Sequence, residues 1–397
     1  MNTLELFSGG GGLAWGLHKA GFHHAALVEF NKIACQTLRK NFNENIIFEG
    51  DVRNFNFNNL NEIKLVAGGP PCQPFSLAGK HKAYDDLRDM FPYAIKAIRN
   101  LLPPVFIFEN VKGLTRQSFE PYFRYIIRRL QYPFFIKKQG ETWENHLNRL
   151  DQLNTSEVEP DYHVSYKVVN FANYGVPQIR ERVIIVGTRS DLNMEWVFPQ
   201  ETHSLNRLIW DMFVEGSYWD RHQMRPKEKE SFIPLIQARI ESVVQHAGFF
   251  PPDGLPWVTV RDAIDDLGSP NNDPYSEHQI RLGAKIYPGH EGSEIDYPSK
   301  TIKAGGHGVP GGENMIRFED GSVRYFTVAE AKRIQTFPDS YKMGGAWGEI
   351  MRQIGNAVPV KLAELFGIEL FKMLHRLSKT TVNNSNVSEC KKKIVAI

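Results

Sequence analysis

A single cysteine lies in a run of glycine and proline residues that could hold its thiol in one place. The run reads Gly68-Gly69-Pro70-Pro71-Cys72-Gln73-Pro74-Phe75-Ser76 and follows the apolar residues 65–67. Proline restricts the backbone on either side, and a thiol presented in one direction suits a nucleophile. The ordinary alternative is a tight turn that happens to contain a cysteine. We take Cys72 as the candidate nucleophile.

A glycine-rich junction near the start of the chain favours a nucleoside cofactor. The strand-like residues 4–7 run into four glycines at 9–12, which would let a ligand approach the backbone closely. Glu29 ends the next predicted strand and could accept hydrogen bonds from both ribose hydroxyls, and Phe30 could stack on an adenine. Asp51 follows the third predicted strand and could accept from the adenine amino group. Such acids suit S-adenosylmethionine, whereas NAD would place its pyrophosphate at the helix N-terminus. For either acid alone, a solvated strand end is the alternative.

The elements that would position these residues follow from the hydrophobic pattern. Over residues 1–190, short apolar runs alternate with helical patterns, which predicts an α/β fold with a doubly wound, mainly parallel sheet. We expect strands at residues 3–7, 25–29, 46–48, 65–67, 105–108, 165–170 and 183–187. We expect helices at residues 12–20, 32–41, 90–101 and 119–130. The polar residues 137–160 interrupt the pattern and predict an inserted helix.

The amino-acid composition and the hydrophobic pattern change at about residue 190. Pro, Gly and Asp become more frequent and the strands shorten, which predicts a smaller, irregular, mostly β second domain. Helical patterns return at residues 328–335 and 362–377. We expect a catalytic domain formed by residues 1–195 and 345–378, a second domain formed by residues 196–344, and a disordered polar tail at residues 379–397.

Charge and cysteine content narrow the class of protein. The formal net charge is only +2, but residues 190–320 hold 12 Lys and Arg against 21 Asp and Glu, whereas the rest of the chain holds 35 against 24. A basic body suits a polyanion such as DNA, although ordinary solvated surface would give the same balance. The three cysteines lack metal-ligand spacing and fit a reducing cytoplasm. No secretory signal and no apolar run long enough to span a bilayer is visible in the sequence.

With these residues in hand, the chain resembles the DNA (cytosine-5)-methyltransferases of prokaryotic restriction-modification systems. The resemblance runs from residue 3 to about residue 377 and rests on the order of its motifs. After the glycine-rich start, Glu29, Asp51 and the cysteine run come Glu109-Asn110-Val111, Gln178-Ile179-Arg180-Glu181-Arg182, residues 324–338 with Gln335-Thr336-Phe337-Pro338, and Gln353-Ile354-Gly355-Asn356-Ala357-Val358-Pro359. Any one of these motifs could arise by chance, but the ordered set favours this family.

The resemblance implies a reaction and the residues that perform it. Cytosine C5 is too electron-poor to attack a methyl sulfonium, and a thiolate adding to C6 makes it nucleophilic. Cys72 matches that nucleophile and Glu109 matches the carboxyl group that shares a proton with N3. Arg180 and Arg182 alternate along an extended run, so they would point to the same side and hold the cytosine O2 and the target phosphate. For Glu109 alone a turn-capping acid, and for the arginines a surface pair, are the alternatives.

The resemblance also implies the ligands. The cofactor is S-adenosyl-L-methionine, without a metal, and the substrate is a cytosine flipped out of double-stranded DNA. The expected partners are double-stranded DNA and a restriction endonuclease that acts on the same site without a stable complex, with the protein itself a cytoplasmic monomer. The implied cofactor contacts are Phe7, Gly9, Gly11, Glu29, Phe30, Asp51, Val52, Pro71, Asn356 and Val358. The implied DNA contacts are Gln73, Ser76, Thr301, Lys303 and His307.

The second domain is expected to recognise the target sequence. In this family it holds the duplex across the cleft and reads bases through two loops, which here would lie near residues 288–296 and at residues 304–312, the latter entered through residues 298–302. A glycine-rich loop lets backbone donors approach base edges. A plain surface turn is the alternative for either loop. We expect the specificity region to span about residues 196–323.

Other functions compete with this interpretation. The tRNA-directed branch of the family carries a Cys-Phe-Thr tripeptide in its recognition region, but this chain has no cysteine between Cys72 and Cys390. Methyltransferases that act only on RNA use two catalytic cysteines, and Cys35 lies on a predicted helix in the wrong context. A catalytically inactive DNA-binding homologue would not need Cys72, Glu109 and Arg180 together. A small-molecule methyltransferase would need neither the recognition region nor the cysteine run.

Replacing the candidate nucleophile gives a first test. Cys72→Ser should abolish methylation while leaving folding and DNA binding intact, because a hydroxyl is a far poorer nucleophile at neutral pH. Incubation with DNA containing 5-fluorocytosine should trap the wild-type protein covalently and should not trap the variant. Appreciable methylation by the variant would show that another group is the nucleophile.

Overall fold

The main element of the fold is a seven-stranded sheet. The computed structural model describes residues 1–71, 89–156, 158–224, 233–271, 276–304 and 314–381. The strands of the sheet are β1 (Asn2–Leu6), β2 (His23–Glu29), β3 (Ile47–Glu49), β4 (Ile63–Gly68), β5 (Val105–Val111), β6 (Tyr162–Asn170) and β7 (Glu181–Arg189). Their spatial order is β3-β2-β1-β4-β5-β7-β6. The first five are parallel, while β7 is antiparallel to both β5 and β6. The expected α/β sheet is confirmed.

Helices cover both faces of this sheet. Within the described part of the chain, five α-helices precede β6: α1 (Gly12–Lys19), α2 (Lys32–Asn41), α3 (Phe91–Leu101), α4 (Glu120–Gln131) and α5 (Trp143–Thr155). Alternate side chains of β5 show why two layers are needed. Phe106 and Phe108 enter the core with α3 and α4, whereas Val105 and Ile107 enter the core with α1 and the last helix. Because successive strand residues point to opposite faces, an apolar run of this kind must be covered on both sides.

The predicted inserted helix is α5. Leu147 and Leu150 are buried and pack in the same core as α4, and Trp143 packs partly buried against that core. His146 is also buried, with its ring nitrogens 3.0 Å from the Tyr125 hydroxyl and 3.0 Å from the Phe135 carbonyl oxygen. These contacts attach the insertion firmly to the main body of the protein.

The second half of the chain has its own small sheets and short helices. The strands are β8 (His203–Ser204), β9 (Leu255–Pro256), β10 (Ser293–Glu294), β11 (Met315–Arg317) and β12 (Val323–Tyr325). The first two pair with each other, and the last three form a separate sheet. The helices are α6 (Leu205–Trp210), α7 (Ser217–Arg221), α8 (Ile233–Ala247), α9 (Val260–Ile264), α10 (Val328–Ile334), α11 (Trp347–Asn356) and α12 (Val360–Thr381). The smaller irregular region with its own sheet is as expected, but its mostly β character is not, because helices, among them the 15-residue α8, hold more of its described residues than the short strands do.

A buried salt bridge organises this second region. The Asp296 carboxylate, fully enclosed, accepts hydrogen bonds from Nε and Nη2 of Arg261 at 2.6 and 2.8 Å, and from the Tyr218 hydroxyl at 2.6 Å. Arg261 lies on α9 and Tyr218 on α7, so one acid joins two helices to the segment that follows β10. A buried carboxylate needs such multiple donors to offset its lost hydration.

The last helix returns to the first. α12 packs along α1, and Leu362, Phe366 and Leu370 share a core with Leu13 and Leu17. The close approach depends on Gly16, since a Cβ atom there would lie 2.4 Å from the Ala363 Cβ and 2.6 Å from the Val360 carbonyl oxygen. None of the helices among the described residues has the length and apolar character needed to cross a membrane.

A glycine-to-alanine pair tests this contact. Gly16→Ala should lower the free energy of unfolding by about 1–3 kcal/mol, because the added methyl group forces α1 away from the α12 backbone. Gly348→Ala, in α11, is the matched control, since nothing lies within 4 Å of the added atom. Alanine favours helix more than glycine does, so the control should be equally or more stable. Equal melting temperatures for the two variants would contradict the packing described here.

Candidate active site

The end of β5 and the beginning of β7 bring a carboxylate and a guanidinium together. The antiparallel register pairs Val111 with Arg182 and Glu109 with Ile184. Across this pair, Arg182 Nε lies 3.0 Å from Glu109 Oε1, and the two side chains are only 17% and 13% exposed. Ion pairs in such partly enclosed settings hold their geometry better than pairs in open solvent. The carboxylate therefore has a fixed position at the carboxyl edge of the sheet.

The glycine-proline run is anchored beside this pair. Asn110 Nδ2 donates to the Pro70 carbonyl oxygen at 2.9 Å, and the Met90 N–H donates to the Pro71 carbonyl oxygen at 3.2 Å. Gly69 also lies against Glu109, since a Cβ atom there would be 3.6 Å from Oε2. Cys72, Gln73 and Ser76 fall within residues 72–88, outside the described residues. Pro70, two residues before Cys72, is thus bonded to the residue that follows the candidate acid Glu109 on β5.

Arg180 is placed differently from the expectation that both arginines face a substrate. It is 3% exposed, and its Nη1 donates to the carbonyl oxygens of Gly355 at 2.7 Å and Ile302 at 3.3 Å. Burial, followed by the charge of Arg182, lowers the pKa of Arg180 to about 9, while Glu109 opposes the shift. Its Nη1 is engaged by main-chain carbonyl oxygens and its buried Nε has no hydrogen-bond partner among the described residues, whereas Arg182 lies directly beside Glu109.

The first two strands place Glu29 against the glycine-rich junction. Glu29 Oε2 accepts from the Gly9 N–H at 2.8 Å and Oε1 accepts from the Asn31 N–H at 2.7 Å. Each carboxylate oxygen has a second acceptor direction, which leaves capacity for a pair of hydroxyls. The backbone at Phe7 and Gly9 is left-handed, with φ of 59° and 54°. Nothing lies within 4 Å of a Cβ atom on Gly9, so this part of the loop borders open space.

The other side of the glycine-rich junction is packed against the end of the chain. A Cβ atom on Gly11 would lie 2.3 Å from the Tyr341 hydroxyl oxygen, and one on Gly12 would lie 2.3 Å from the Val358 carbonyl oxygen. The Tyr341 hydroxyl donates to the Gly10 carbonyl oxygen at 2.8 Å. Gly11 therefore serves close packing between the junction and residues 341–358, and Val358 borders the same place.

The remaining cofactor candidates differ in availability. Phe30 is 74% exposed beside Glu29, so its ring is free to stack, and Asn356 is exposed at the end of α11. Val52 is buried. Asp51 already accepts from the Arg53 N–H at 2.9 Å and pairs with its guanidinium; the hydrogen bond from that side chain holds the pKa of Asp51 below its usual range. An adenine amino group would have to share this carboxylate.

These groups fit an adenosyl cofactor. The open side of the Gly9 loop, a carboxylate with unused acceptor capacity and an exposed aromatic ring meet at the ends of β1 and β2. Among the described residues, no group of three or more His, Cys, Asp or Glu side chains could hold a metal ion. Cys35 is a poor second nucleophile, because burial raises the pKa of its thiol to about 12 and the thiol donates to the Glu29 carbonyl oxygen.

The candidate recognition residues adjoin this site through β7. Thr301 Oγ1 donates to the Ile179 carbonyl oxygen at 2.9 Å, and Lys303 is exposed. The Lys303 N–H donates to Asn314 Oδ1 at 3.0 Å, and Asn314 Nδ2 donates to the Lys303 carbonyl oxygen at 3.2 Å. His307 falls within residues 305–313, outside the described residues. The two segments that flank that span are therefore held close to the arginine run.

Several residues at the site escaped the sequence reasoning. Asn110, Gln178 and Gln335 lie in motifs that the sequence displays, but their spacing gives no sign of which main-chain groups they bind. Tyr341 follows a proline and an aspartate in an unremarkable polar stretch and carried no signal at all. All four place main-chain segments, a role that only the folded arrangement reveals.

Comparisons with known proteins identify the family of this chain. The family model of the C-5 cytosine-specific DNA methylases matches residues 1–132 and 134–372. The Type II methyltransferase M.PspPI of Psychrobacter sp. (strain TA137) is 33% identical over 381 residues, covering 95% of this chain and 80% of that protein. The Type II methyltransferase M.NgoMIV of Neisseria gonorrhoeae is 31% identical over 378 residues, covering 94% and 98%. The S. pombe Dnmt2 methyltransferase has a TM-score of 0.54 at 16% identity, covering 94% and 99%, which bears on the fold alone.

Substitutions of Glu29 and Glu109 should differ in their effects on cofactor binding and on the rate of methylation. Glu29→Ala should weaken S-adenosylmethionine binding by about 10- to 100-fold, because charge-assisted hydrogen bonds contribute about 1.5–3 kcal/mol. Glu109→Gln should slow methylation by about 10²- to 10⁴-fold with little change in cofactor affinity. Glu49→Ala is the control, since Glu49 also ends a strand but pairs with Arg39 at the surface. Calorimetric titration and single-turnover rates check this, and equal losses of cofactor affinity in the first two variants would refute the division of roles.

Proposed function

The chain belongs to the C-5 cytosine-specific DNA methylase family and is a cytosine-C5 DNA methyltransferase, and we propose that it modifies a specific double-stranded sequence as part of a restriction-modification system. The Type II methyltransferases that align with nearly its whole length support this proposal. The single observation that carries the catalytic assignment is the ion pair of Glu109 and Arg182 beside the anchored Pro70–Pro71 stem.

Cys72 is the proposed nucleophile. Its thiolate adds to C6 of the target cytosine, and the electron pair of the C5–C6 double bond shifts so that C5 becomes nucleophilic. After C5 has taken the methyl group, loss of the C5 hydrogen as a proton and departure of the Cys72 thiolate restore the aromatic ring. The rigid residues before Cys72, tied to Asn110 and Met90, support a fixed direction of attack.

Glu109 and Arg182 are proposed to hold the pyrimidine during this addition. Negative charge develops on the N3–C2–O2 side of the ring as the thiolate adds. Glu109 shares a proton with N3, and the planar guanidinium of Arg182 is suited to the neighbouring O2 oxygen. Their 3.0 Å contact supports action on adjacent atoms of one base. Arg180 acts here as a positioning residue through its Nη1, which the Ile302 and Gly355 carbonyl oxygens hold, while its buried Nε has no hydrogen-bond partner among the described residues.

The cofactor is proposed to lie over the ends of β1 and β2. S-adenosyl-L-methionine, when bound, supplies an electrophilic methyl group. Glu29 would bind the ribose hydroxyls, Phe30 would cover the adenine, and Gly9 would leave room for the adenosyl group. Asp51, Val52, Pro71, Asn356 and Val358 complete the proposed contacts, with Phe7 and Gly11 shaping the loop.

The substrate proposal places DNA between the two halves of the chain. A stacked cytosine cannot offer its C6 face to a thiol, so the base must flip out at a cost of a few kcal/mol. Residues 1–195 and 345–378 would form the catalytic domain and residues 196–344 the recognition domain, with Thr301 and Lys303 at the duplex. We further propose that the protein acts as a monomer on cytoplasmic DNA and that a separate endonuclease cuts the same site.

Sequencing after bisulfite treatment tests the function directly. DNA from cells that express the chain should carry 5-methylcytosine at one fixed position of a short recurrent sequence, and DNA from cells that express Cys72→Ser should not. Unmethylated DNA in both cases, with soluble protein present, would contradict the proposal.

A hybrid protein tests where specificity lies. Replacing residues 196–323 with the matching region of a relative should transfer that relative's target sequence, because this variable stretch lies between the arginine run and residues 324–338. Substitutions at Thr301 should relax discrimination without changing cofactor affinity, since a mismatched base pair typically costs about 1–3 kcal/mol. Methylation profiling checks both. A hybrid that keeps the original target sequence would place recognition elsewhere, for example in residues 137–160.

A further inference from the structure

Two buried glutamines connect the recognition segment to the cofactor segment. The Ile302 N–H donates to Gln178 Oε1 at 3.3 Å, Gln178 Nε2 donates to Gln335 Oε1 at 2.6 Å, and Gln335 Nε2 donates to the Ala357 carbonyl oxygen at 2.5 Å. Both glutamines are fully buried. We call Gln178 and Gln335 the amide relay.

The two ends of the relay fix its direction. A main-chain N–H can only donate, so the Gln178 oxygen must face Ile302. A main-chain carbonyl can only accept, so the Gln335 nitrogen must face Ala357. The remaining amide groups then meet as donor and acceptor, and neither amide can turn over without leaving buried groups unsatisfied. Each such group costs about 1–3 kcal/mol, so the three bonds hold or fail as a unit.

A second bridge runs parallel to the relay. Arg180 Nη1 donates to the carbonyl oxygens of Ile302 and Gly355. Both main-chain groups of Ile302 are thereby held, the N–H by the relay that ends at Ala357 and the carbonyl oxygen by Arg180, which also holds Gly355. Ile302 lies between Thr301 and Lys303, the proposed DNA contacts, and Gly355 and Ala357 flank the exposed Asn356, a proposed cofactor contact. Ile302, next to the proposed DNA contacts, is thus linked through buried side chains to Gly355 and Ala357, which flank a proposed cofactor contact.

We propose that the amide relay couples DNA recognition to cofactor binding. This inference rests on the proposed function, which supplies the two ligands. DNA that orders residues 301–303 also orders residues 355–357 through Gln178 and Gln335. The cofactor then binds a segment that is already ordered, so its binding loses less conformational entropy. By thermodynamic linkage, the cofactor tightens DNA binding by the same factor. Gln178 and Gln335 act as positioning residues and touch neither ligand.

The test measures the coupling factor. S-adenosylhomocysteine, the demethylated form of the cofactor, is titrated calorimetrically into the protein alone and into the protein saturated with a duplex that carries the target sequence found by bisulfite sequencing. The ratio of the two Kd values is the coupling factor, and a duplex with the sequence scrambled gives the background. For the wild type we expect tighter binding on the target duplex by at least about fivefold.

Methionine variants break the relay with little change in side-chain volume. Gln178→Met and Gln335→Met should each reduce the coupling factor to about one, and the double variant should do no more than either, because links in one chain are not additive. Gln178→Asn and Gln335→Asn keep the amide but shorten its reach by one methylene, and they serve if a methionine variant does not fold. They should lose the coupling as well.

A third buried glutamine provides the control. Gln353 lies on α11 and donates to the Gly344 carbonyl oxygen at 2.9 Å, without a bond to residues 301–303. Gln353→Met should change cofactor affinity equally with and without the target duplex, so its coupling factor should match that of the wild type. A general loosening of the protein core would lower the factor in this variant too.

The outcomes separate the inference from the proposed function. If the wild type binds neither S-adenosylhomocysteine nor the duplex, the proposed function fails. If it binds both and its coupling factor is one, or if folded relay variants keep the wild-type factor, the inference is overturned while the proposed function stands. A loss that is equal in Gln353→Met and the relay variants also overturns it, because packing and not the relay would then be responsible.

Discussion

The buried guanidinium of Arg180 is the constraint on which the arrangement of the cleft depends. Removing a charged group from water is costly, and here two main-chain carbonyl oxygens from distant parts of the chain accept hydrogen bonds from its Nη1, while its buried Nε has no partner among the described residues. The cost of leaving this group without partners keeps residues 302 and 355 against the start of β7. Because β7 also carries Arg182, the same short stretch fixes the recognition segment, the cofactor segment and the partner of Glu109.

The two ligand regions share a construction principle. At each, a side chain with functional potential is exposed or half-exposed, and the neighbouring main chain is held by buried polar side chains. The buried side chains of Asn110 and Tyr341 hold Pro70 and Gly10, and the part-buried Glu29, itself a proposed ligand contact, also holds Gly9. Buried polar groups with every partner in place specify one arrangement of loops that lack regular hydrogen bonding of their own. These side-chain hydrogen bonds thereby fix the backbone of irregular segments, as main-chain hydrogen bonds fix the backbone of strands and helices.

The central sheet could be predicted from the sequence because its signal is local. Each of the seven strands is an apolar run bounded by turns or helical patterns, and all seven lie where the pattern placed them. The pairing of Glu109 with Arg182 was not predictable, because the antiparallel register of β5 and β7 depends on a connection of about seventy residues. Gln178 and Gln335 are 157 residues apart, and no local pattern reports their contact. The helices α6, α7 and α9 have five or six residues, which is too short for a helical period to show.

The return of α12 onto α1 has a consequence for how the protein is made. α1 leaves the ribosome long before α12, and Leu13 and Leu17 on its apolar face are covered by Leu362 and Phe366, some 350 residues later. At a synthesis rate of about 5–20 residues per second, that face stays uncovered for on the order of tens of seconds. The nascent chain therefore carries an exposed hydrophobic stripe on α1 until α12 has been made. A variant lacking α12 would expose this stripe permanently.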